Sequence, residues 1–212
     1  LSSFGFIYQS IASKWKHINH SFFLNFSPKV GVYTFALTEA VDQVSKPVQR
    51  TISVLIIVKD EPEIEKSLES LEIQCKEIKA ECIVVDASEH RLDSIRAKHP
   101  WVQWIDYQQP VGRRITIAHQ RNVAVATASS SVLLFCDAGG IPNLNWVRDL
   151  SRPLLEGRRQ LVGGPIFYTS KAATARFDNL QEDGEVLRVS TTANIGFTRL
   201  AFNCVKGFNE NL

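Results

Sequence analysis

From Thr51 onward, short apolar runs alternate with amphipathic stretches. A continuous apolar, β-branched run is typical of a buried parallel strand, and apolar residues at three- and four-residue steps are typical of a helix. The predicted strands are Ile52–Val58, Cys82–Val85, Trp101–Ile105 and Val132–Cys136, and the predicted helices are Ile64–Ile78, Leu92–Lys98 and Ile115–Ala128. Repeated β–α–β units with short connections predict an α/β domain with right-handed crossovers and a mostly parallel sheet flanked by helices.

The remainder of this region continues with mixed elements. We expect an amphipathic helix carrying Leu144, Val147, Leu150 and Leu154, then a strand-like run over Gln160–Tyr168, a polar loop over 170–186, an extended Val189–Phe197 and a helix over Arg199–Val205. Gly163-Gly164-Pro165 interrupts the strand-like run. Glycine inside a strand marks a place where the backbone must approach another group closely.

Residues 1–50 follow a different pattern, with an apolar stripe at helical spacing and no acid before Glu39. The stripe consists of Phe4, Tyr8, Ile11, Trp15, Ile18 and Phe22. It fits a helix over residues 4–24 that binds a membrane surface or a partner, and it also fits a helix that packs on its own domain or on sequence outside this chain, since most apolar stripes are core. Lys46–Arg50 is polar and contains Pro47, so we place a linker there, between an N-terminal helical appendage (1–50) and a domain (51–212).

Composition excludes several classes of protein. The formal net charge of +2 argues against a general nucleic-acid binder. No apolar run approaches the roughly 20 residues that span a bilayer. The four cysteines form no CxxC pair, and three lie in apolar runs, which indicates reduced core residues in a reducing compartment.

Acids follow three of the predicted strands: Asp60 and Glu61 the first, Asp86 the second and Asp137 the fourth. The carboxyl ends of parallel strands meet at one edge of the sheet, where α/β proteins bind their ligands. Carboxylates gathered there accept hydrogen bonds from a nucleoside or hold a divalent cation. The alternative is that each acid only caps the helix that follows it.

Arg121 stands on an Ala- and Val-rich helix just before the strand that delivers Asp137. A guanidinium at this edge suits a diphosphate, whereas the alternative is a surface salt bridge. Arg113 and Arg114 in the preceding loop are weaker phosphate candidates. The chain lacks a G-x-S-x-G elbow, a GxGxxG turn and a Walker A loop, which argues against a serine hydrolase, a dinucleotide-dependent dehydrogenase and a P-loop ATPase.

Five segments, in this order and spacing, resemble the family-two glycosyltransferases over residues 51–212. They are Ile52–Glu61, Val84–Ser88, Gln120–Ala124, Phe135–Gly139 and Ala193–Asn209. The resemblance implies a GT-A fold, which is Rossmann-like, and transfer of a sugar from a nucleotide diphosphate donor to an acceptor hydroxyl with inversion. This prediction leaves residues 1–50 outside the family.

The resemblance also implies roles for the candidate residues. Asp60 or Glu61, together with Asp86, matches positions that hold uracil and ribose, and Arg121 matches the basic residue near the diphosphate. Asp137 matches the first acid of the Asp-x-Asp metal motif. Gly139 stands at the second acid, so this motif offers one carboxylate to a Mg²⁺ or Mn²⁺ ion. The family's catalytic base corresponds to a position after Leu212, so the domain is expected to continue there; Glu182 and Asp183 match no family position.

The implied function is therefore synthesis of a polysaccharide or glycoconjugate. The expected donor is a UDP-sugar and the expected acceptor a saccharide or a lipid-linked molecule, with no nucleic-acid partner. We expect a cytoplasmic protein, peripheral to the inner membrane if the N-terminal stripe binds lipid. The alternative is a domain that binds nucleotide but is catalytically incomplete and serves as a scaffold, because Gly139 replaces an acid and no base is identified.

Overall fold

The structure is a computed structural model that describes residues 51–112, 116–169, 174–177 and 192–211. Several predictions lie outside these residues: the N-terminal helix and linker within 1–50, the two arginines at 113 and 114, and the acids at 182 and 183.

The described chain alternates strands and helices, as the apolar pattern predicts. The strands are β1 Ile52–Val58, β2 Glu81–Asp86, β3 Gln103–Asp106, β4 Val132–Cys136, β5 Leu161–Gly163, β6 Ile166–Thr169, β7 Thr174–Phe177 and β8 Asn194–Thr198. The helices are α1 Ile64–Ile78, α2 Asp93–Lys98, α3 Ile117–Thr127, α4 Trp146–Leu155 and α5 Arg199–Cys204. The first four predicted strands and the three helices between them are confirmed: each begins and ends within two residues of its predicted bounds.

Six strands form the main sheet in the order β3-β2-β1-β4-β8-β5. β1, β2, β3 and β4 are parallel, and β8 runs antiparallel to both of its neighbours. β6 and β7 form a separate antiparallel pair. The sheet is therefore mixed but mostly parallel, and the carboxyl ends of β1 to β4 lie along one edge, which we call the C-terminal edge.

Both faces of the main sheet are buried, which explains why its central strands β1 and β4 are apolar except for Ser53. One face packs against α1, α2 and α4 through residues such as Leu68, Leu71 and Leu150. The other packs against α3 and α5 and contains an aromatic cluster. The rings of that cluster are Phe135, Phe197, Phe202 and Phe208.

Three local predictions were wrong. Leu144 precedes α4 and is 88% exposed, because the helix begins only at Trp146 and Leu144 lies in the connecting loop. The run Gln160–Tyr168 is two strands, β5 and β6, which belong to different sheets. Part of the predicted polar loop 170–186 is β7, which pairs with β6.

Gly163-Gly164-Pro165 marks a close approach, as predicted. A Cβ on Gly164 would lie 2.4 Å from Asn194 Nδ2, and the Gly164 N–H donates to the Asn194 carbonyl oxygen at 3.1 Å. Gly196 in β8 is a second such place. A Cβ there would lie 2.7 Å from Leu134 Cδ2 and 3.1 Å from Leu154 Cδ1, so α4 can pack on β8 only because position 196 lacks a side chain.

Polar contacts anchor the opposite, N-terminal edge of the sheet. Glu81 Oε1 accepts hydrogen bonds from the hydroxyls of Ser53, Ser129 and Ser130 and from the Ser129 N–H. Burial opposes ionisation of Glu81, but these hydrogen bonds outweigh it and hold the pKa of the carboxyl below its usual value. The Arg199 guanidinium satisfies three carbonyls around the end of α3, those of Val125, Ala128 and Ser130.

The cysteines and the hydrophobic segments agree with the composition. Cys75, Cys82 and Cys136 are buried free thiols, and Cys204 is an exposed free thiol. Burial raises the pKa of Cys75 and of Cys136 to about 12. None of the helices within the described ranges combines the length and apolarity that crossing a bilayer requires.

Candidate functional site

The parallel strand register brings the predicted acids to one edge. Asp86 is the last residue of β2 and pairs in register with Val58 of β1. Asp60 follows β1 by two residues, and Asp137 directly follows β4. All three acids therefore lie at the C-terminal edge, where ligands bind in open α/β sheets.

Asp60 has a protein partner. Its two carboxylate oxygens accept hydrogen bonds from Arg91 Nε at 2.5 Å and Arg91 Nη2 at 3.0 Å, and this ion pair lowers the pKa of Asp60. The Asp60 N–H donates to Ser88 Oγ at 2.8 Å, and the backbone of Asp60 is left-handed with φ of 55°. Both side chains of the ion pair are exposed, so Arg91 is available to a ligand together with Asp60.

Asp86 is the most deeply buried of these acids, with 6% of its surface exposed. Its Oδ1 accepts a hydrogen bond from the Ser88 N–H at 2.7 Å, which fixes the turn after β2. This contact is a turn within residues 86–88 and does not cap a helix. Ser88 thus connects the turns after β1 and β2, since its hydroxyl also contacts Asp60.

Arg121 is a buried cation. Only 6% of the residue is exposed, and its Nε has no hydrogen-bond partner among the described residues. Burial lowers the pKa of the guanidinium to about 10, whereas the negative charge of Asp137 acts in the opposite direction. The surface salt bridge that was the alternative for Arg121 is therefore wrong, because the side chain is not at the surface.

Asp137 faces this cation from the end of β4. The residue is exposed at the sheet edge, but the surrounding protein atoms still displace enough water from the carboxyl group to raise its pKa. The Arg121 charge lowers the pKa and only partly compensates. A buried cation and a partly desolvated carboxylate thus stand within electrostatic reach of each other, with space on the solvent side of the acid.

A row of polar side chains on α1 holds the loop that follows Asp137. Ser67 Oγ accepts a hydrogen bond from the Gly139 N–H at 3.0 Å, and Ser70 Oγ donates to the Pro142 carbonyl at 2.6 Å. Gln74 donates to the Asn143 carbonyl at 2.8 Å. The spacing of three and four residues places these side chains on one face of the helix.

Gly139 and Glu61 lie next to each other. Gly139 has a φ of 83°, and a Cβ built on it would lie 3.9 Å from Glu61 Cδ and 3.4 Å from Glu63 Cβ. Glu61 Oε1 accepts the Glu63 N–H at 3.1 Å, so its carboxyl group is held in this turn. The space that a side chain of residue 139 would enter is therefore bordered by the carboxyl group of Glu61.

Asn122, next to Arg121 on α3, binds the end of the described chain. Its Nδ2 donates to the Phe208 carbonyl at 3.0 Å and to Glu210 Oε1 at 2.7 Å, and its Oδ1 accepts the Phe208 N–H at 2.9 Å. The Arg121 Cζ lies 5.6 Å from the centroid of the Phe208 ring. The turn after α5 therefore forms one wall beside the buried cation.

Tyr107 and His119 form a hydrogen-bonded pair near the turn after α5. Tyr107 follows β3, and its hydroxyl lies 2.7 Å from His119 Nδ1 in the first turn of α3. Burial and the nearby charge of Glu210 raise the pKa of Tyr107. Tyr107, the first turn of α3 and the turn after α5 therefore lie close together on this side of the sheet.

Solved structures with a similar arrangement of strands and helices include two glycosyltransferases. A mannosyltransferase from Pyrobaculum calidifontis, in complex with GDP-Man and Mn²⁺, matches 99% of this chain with a TM-score of 0.56 at 15% identity. Glucosyl-3-phosphoglycerate synthase from Mycobacterium tuberculosis, in complex with Mn²⁺ and UDP-glucose, matches 72% with a TM-score of 0.54 at 24% identity. The fold is GT-A. This confirms the predicted fold class.

The chain spans 56% and 57% of the lengths of those two structures. No protein-family model matches the chain. No curated protein matches it either. At these identities the likeness establishes the fold, and activity has to be argued from the site.

The sequence contains weak signals for the residues that pattern analysis missed. Ser67 and Gln74 are polar but buried on α1, and they interrupt its apolar face at helical spacing. Polar residues on a core-facing stripe indicate a specific partner, because burying them without one is unfavourable. Asn122 gives no such signal, since its partner Phe208 is 86 residues away.

Proposed function

We propose that this chain is a glycosyltransferase domain that binds a nucleotide diphosphate sugar at the C-terminal edge of its sheet. The observation that carries this proposal is Arg121. A buried guanidinium whose Nε has no partner among the described residues is unfavourable by itself and becomes favourable when an anion binds it. A diphosphate is such an anion, and the GT-A fold supports this ligand class.

The donor's nucleoside is assigned to the turns after β1 and β2. Asp86 supplies a buried carboxylate for ribose hydroxyls or base N–H groups, and Asp60 acts with Arg91 at the rim. The diphosphate then lies between Arg121 and Asp137. This division follows from the position of each strand in the sheet, and UDP and GDP both satisfy it.

A divalent cation fits the carboxylates present. Mg²⁺ is commonly held by one or two carboxylates together with substrate phosphates. Asp137 would be one ligand, and Glu61, whose carboxyl group borders Gly139, is the described acid best placed to be a second. The ion would supply Lewis-acid stabilisation of the leaving diphosphate.

The chain's own residues then act on the donor. Arg121 holds the diphosphate oxygens, on which charge develops as the sugar–oxygen bond breaks. Asp86 and the turn that it fixes orient the nucleoside. We propose an inverting displacement as in family-two glycosyltransferases, with the general base following Leu212, and a polysaccharide, glycoconjugate or small hydroxyl-bearing acceptor.

Thermal unfolding with nucleotides tests the proposal. UDP or GDP with Mn²⁺ is expected to raise the Tm of the chain, and Arg121→Ala or Asp86→Ala is expected to abolish the rise. Asp137→Asn is expected to remove the part of the rise that depends on Mn²⁺. Asp149→Asn, the same change at an exposed site on α4, is the matched control. Failure of every nucleoside diphosphate to raise the Tm would overturn the proposal.

Gly139 favours one alternative, a nucleotide-binding domain that does not transfer sugar. The two functions separate in a turnover assay that follows release of UDP from UDP-glucose or of GDP from GDP-mannose. Binding without release in a chain extended past Leu212 would favour the scaffold, whereas release that depends on Asp137 supports the enzyme.

A further inference from the structure

Both the nitrogen and the oxygen of the Asn122 side-chain amide form hydrogen bonds with the turn after α5. One donor and the acceptor form a pair of hydrogen bonds with the backbone of Phe208, at 3.0 and 2.9 Å, and Nδ2 also contacts Glu210 at 2.7 Å. Two opposed hydrogen bonds to one residue fix both its position and its orientation. The contact joins segments that are 86 residues apart, so nothing in the local chain replaces it.

Gly207 makes this contact sterically feasible. Its φ is 78°, and a Cβ on it would lie 2.9 Å from Asn122 Oδ1 and 3.0 Å from Phe202 Cζ. A side chain at this position would therefore separate the amide from the Phe208 backbone. We call the paired hydrogen bonds between Asn122 and the Phe208 backbone, which the left-handed Gly207 permits, the Asn122–Phe208 clasp.

The clasp places an aromatic ring against the buried cation. On one side the Phe208 ring packs on Phe135, Phe197 and Phe202, with centroids 5.7, 6.3 and 5.8 Å away. Arg121 Cζ lies 5.6 Å from the centroid of the Phe208 ring. An aromatic ring at this distance attracts a guanidinium and restricts its orientation. Arg121 Nε has no hydrogen-bond partner among the described residues, so no hydrogen bond from Nε competes with the ring in orienting the guanidinium.

We propose that Asn122 is a positioning residue: through the clasp it holds the Phe208 ring, and the ring in turn orients the Arg121 guanidinium toward the donor's diphosphate. This inference rests on the proposed function. Asn122 does not touch the nucleoside turns at Asp60 and Asp86. Its loss is therefore expected to affect recognition of the diphosphate more than recognition of the nucleoside.

The test compares UDP with UMP, and GDP with GMP, by calorimetric titration of the 212-residue chain in the presence of Mn²⁺. The expected result for Asn122→Ala is about tenfold weaker binding of the diphosphate, with a change of less than about twofold for the monophosphate. Phe208→Leu, which keeps an apolar side chain but removes the ring, is expected to do the same. Phe208→Tyr keeps the ring and is expected to bind the diphosphate and the monophosphate as the wild type does.

Matched controls separate the possible outcomes. Asn203→Ala removes an exposed asparagine from α5 and is expected to leave both affinities unchanged. Equal weakening of diphosphate and monophosphate in Asn122→Ala, or no weakening, would overturn the inference. If Asn122→Ala does not fold, Phe208→Leu and Phe208→Tyr serve instead. Selective weakening of the diphosphate in Phe208→Leu but not in Phe208→Tyr supports the inference, and equal weakening of both nucleotides or no weakening in Phe208→Leu overturns it. A wild-type chain that binds UDP no better than UMP and GDP no better than GMP contradicts the proposed function itself.

Discussion

Replacing Arg121 by methionine is expected to stabilise the protein while removing diphosphate binding. The guanidinium is buried and charged at neutral pH, and its pKa falls from 12.5 to about 10. A decrease of this size corresponds to roughly 3 kcal/mol of unfavourable free energy for the charged form in the folded chain. The attraction to the Phe208 ring offsets about 1 kcal/mol of it. Methionine fills similar space without a charge, so the expected gain in the free energy of unfolding is about 1–2 kcal/mol.

The stability difference between Arg121→Met and the wild type depends on pH in a definite direction. Below pH 10 the folded and unfolded chains both carry the charged guanidinium, so the full penalty is present at neutral pH. As pH rises through about 10 the folded chain loses the proton before the unfolded chain does, so the wild type gains stability relative to the variant. The advantage of Arg121→Met is therefore largest near neutrality and decreases at alkaline pH.

Urea unfolding followed by circular dichroism at pH 7, without nucleotide, measures this difference. A gain of 1–2 kcal/mol corresponds to a Tm increase of roughly 2–8 °C for a chain of this length. Arg121→Lys keeps a charge in the same surroundings and is expected to show no gain, and Arg152→Met on the exposed side of α4 is expected to stay within about 0.5 kcal/mol of wild type. If Arg121→Met were less stable than wild type by more than about 1 kcal/mol, the guanidinium must have protein partners and the argument for an anion site fails.

Three further predictions concern the rest of the fold. Gly196→Ala brings a methyl group to 2.7 Å from Leu134 Cδ2 and is expected to lower the free energy of unfolding by about 1–3 kcal/mol in urea titrations; an unchanged midpoint contradicts the close packing of α4 on β8. Because the pKa of Glu81 is lowered on folding, its contribution to stability is present above its unfolded pKa of 4.5 and is lost as pH falls through the folded value. Glu81→Gln is therefore expected to unfold more easily at pH 7 and to depend less on pH between about 5 and 3, and equal pH profiles for the two proteins contradict the role given to the serine hydroxyls. A thiol reagent is expected to modify Cys204 rapidly in the folded chain and the other three cysteines only on unfolding, and rapid reaction of more than one thiol contradicts their burial.

The apolar pattern was sufficient to predict the parallel strands β1 to β4 and the edge at which the candidate acids lie. Strands buried on both faces are apolar throughout, and the strand register then determines where Asp86 and Asp137 lie. The prediction that Arg121 points to this edge is supported by its burial beside the Asp137 charge. These features follow from the local apolar pattern and from the alternation of strands and helices, both of which can be read from the sequence.

Other features depend on contacts between distant segments. Leu144 has the spacing of a helical core residue, but the chain between Pro142 and Trp146 is held to α1 by hydrogen bonds that no local pattern reveals. The Asn122–Phe208 clasp and the proximity of Glu61 to Gly139 are of the same kind. Each depends on which surfaces meet when the domain closes.

The polar row on α1 links two parts of the site mechanically. The turn with Asp60 and Glu61 leads directly into this helix, and Ser67, Ser70 and Gln74 hold the loop after Asp137. The helix therefore carries the turn with Asp60 and Glu61 at its start and holds the loop after Asp137 along its side. Deleting one residue before Ile64 would rotate the row by about 100° and detach the loop, although every residue of the site would still be present. Variation in the length of this short turn would thus change the proposed donor site without substituting any of its residues.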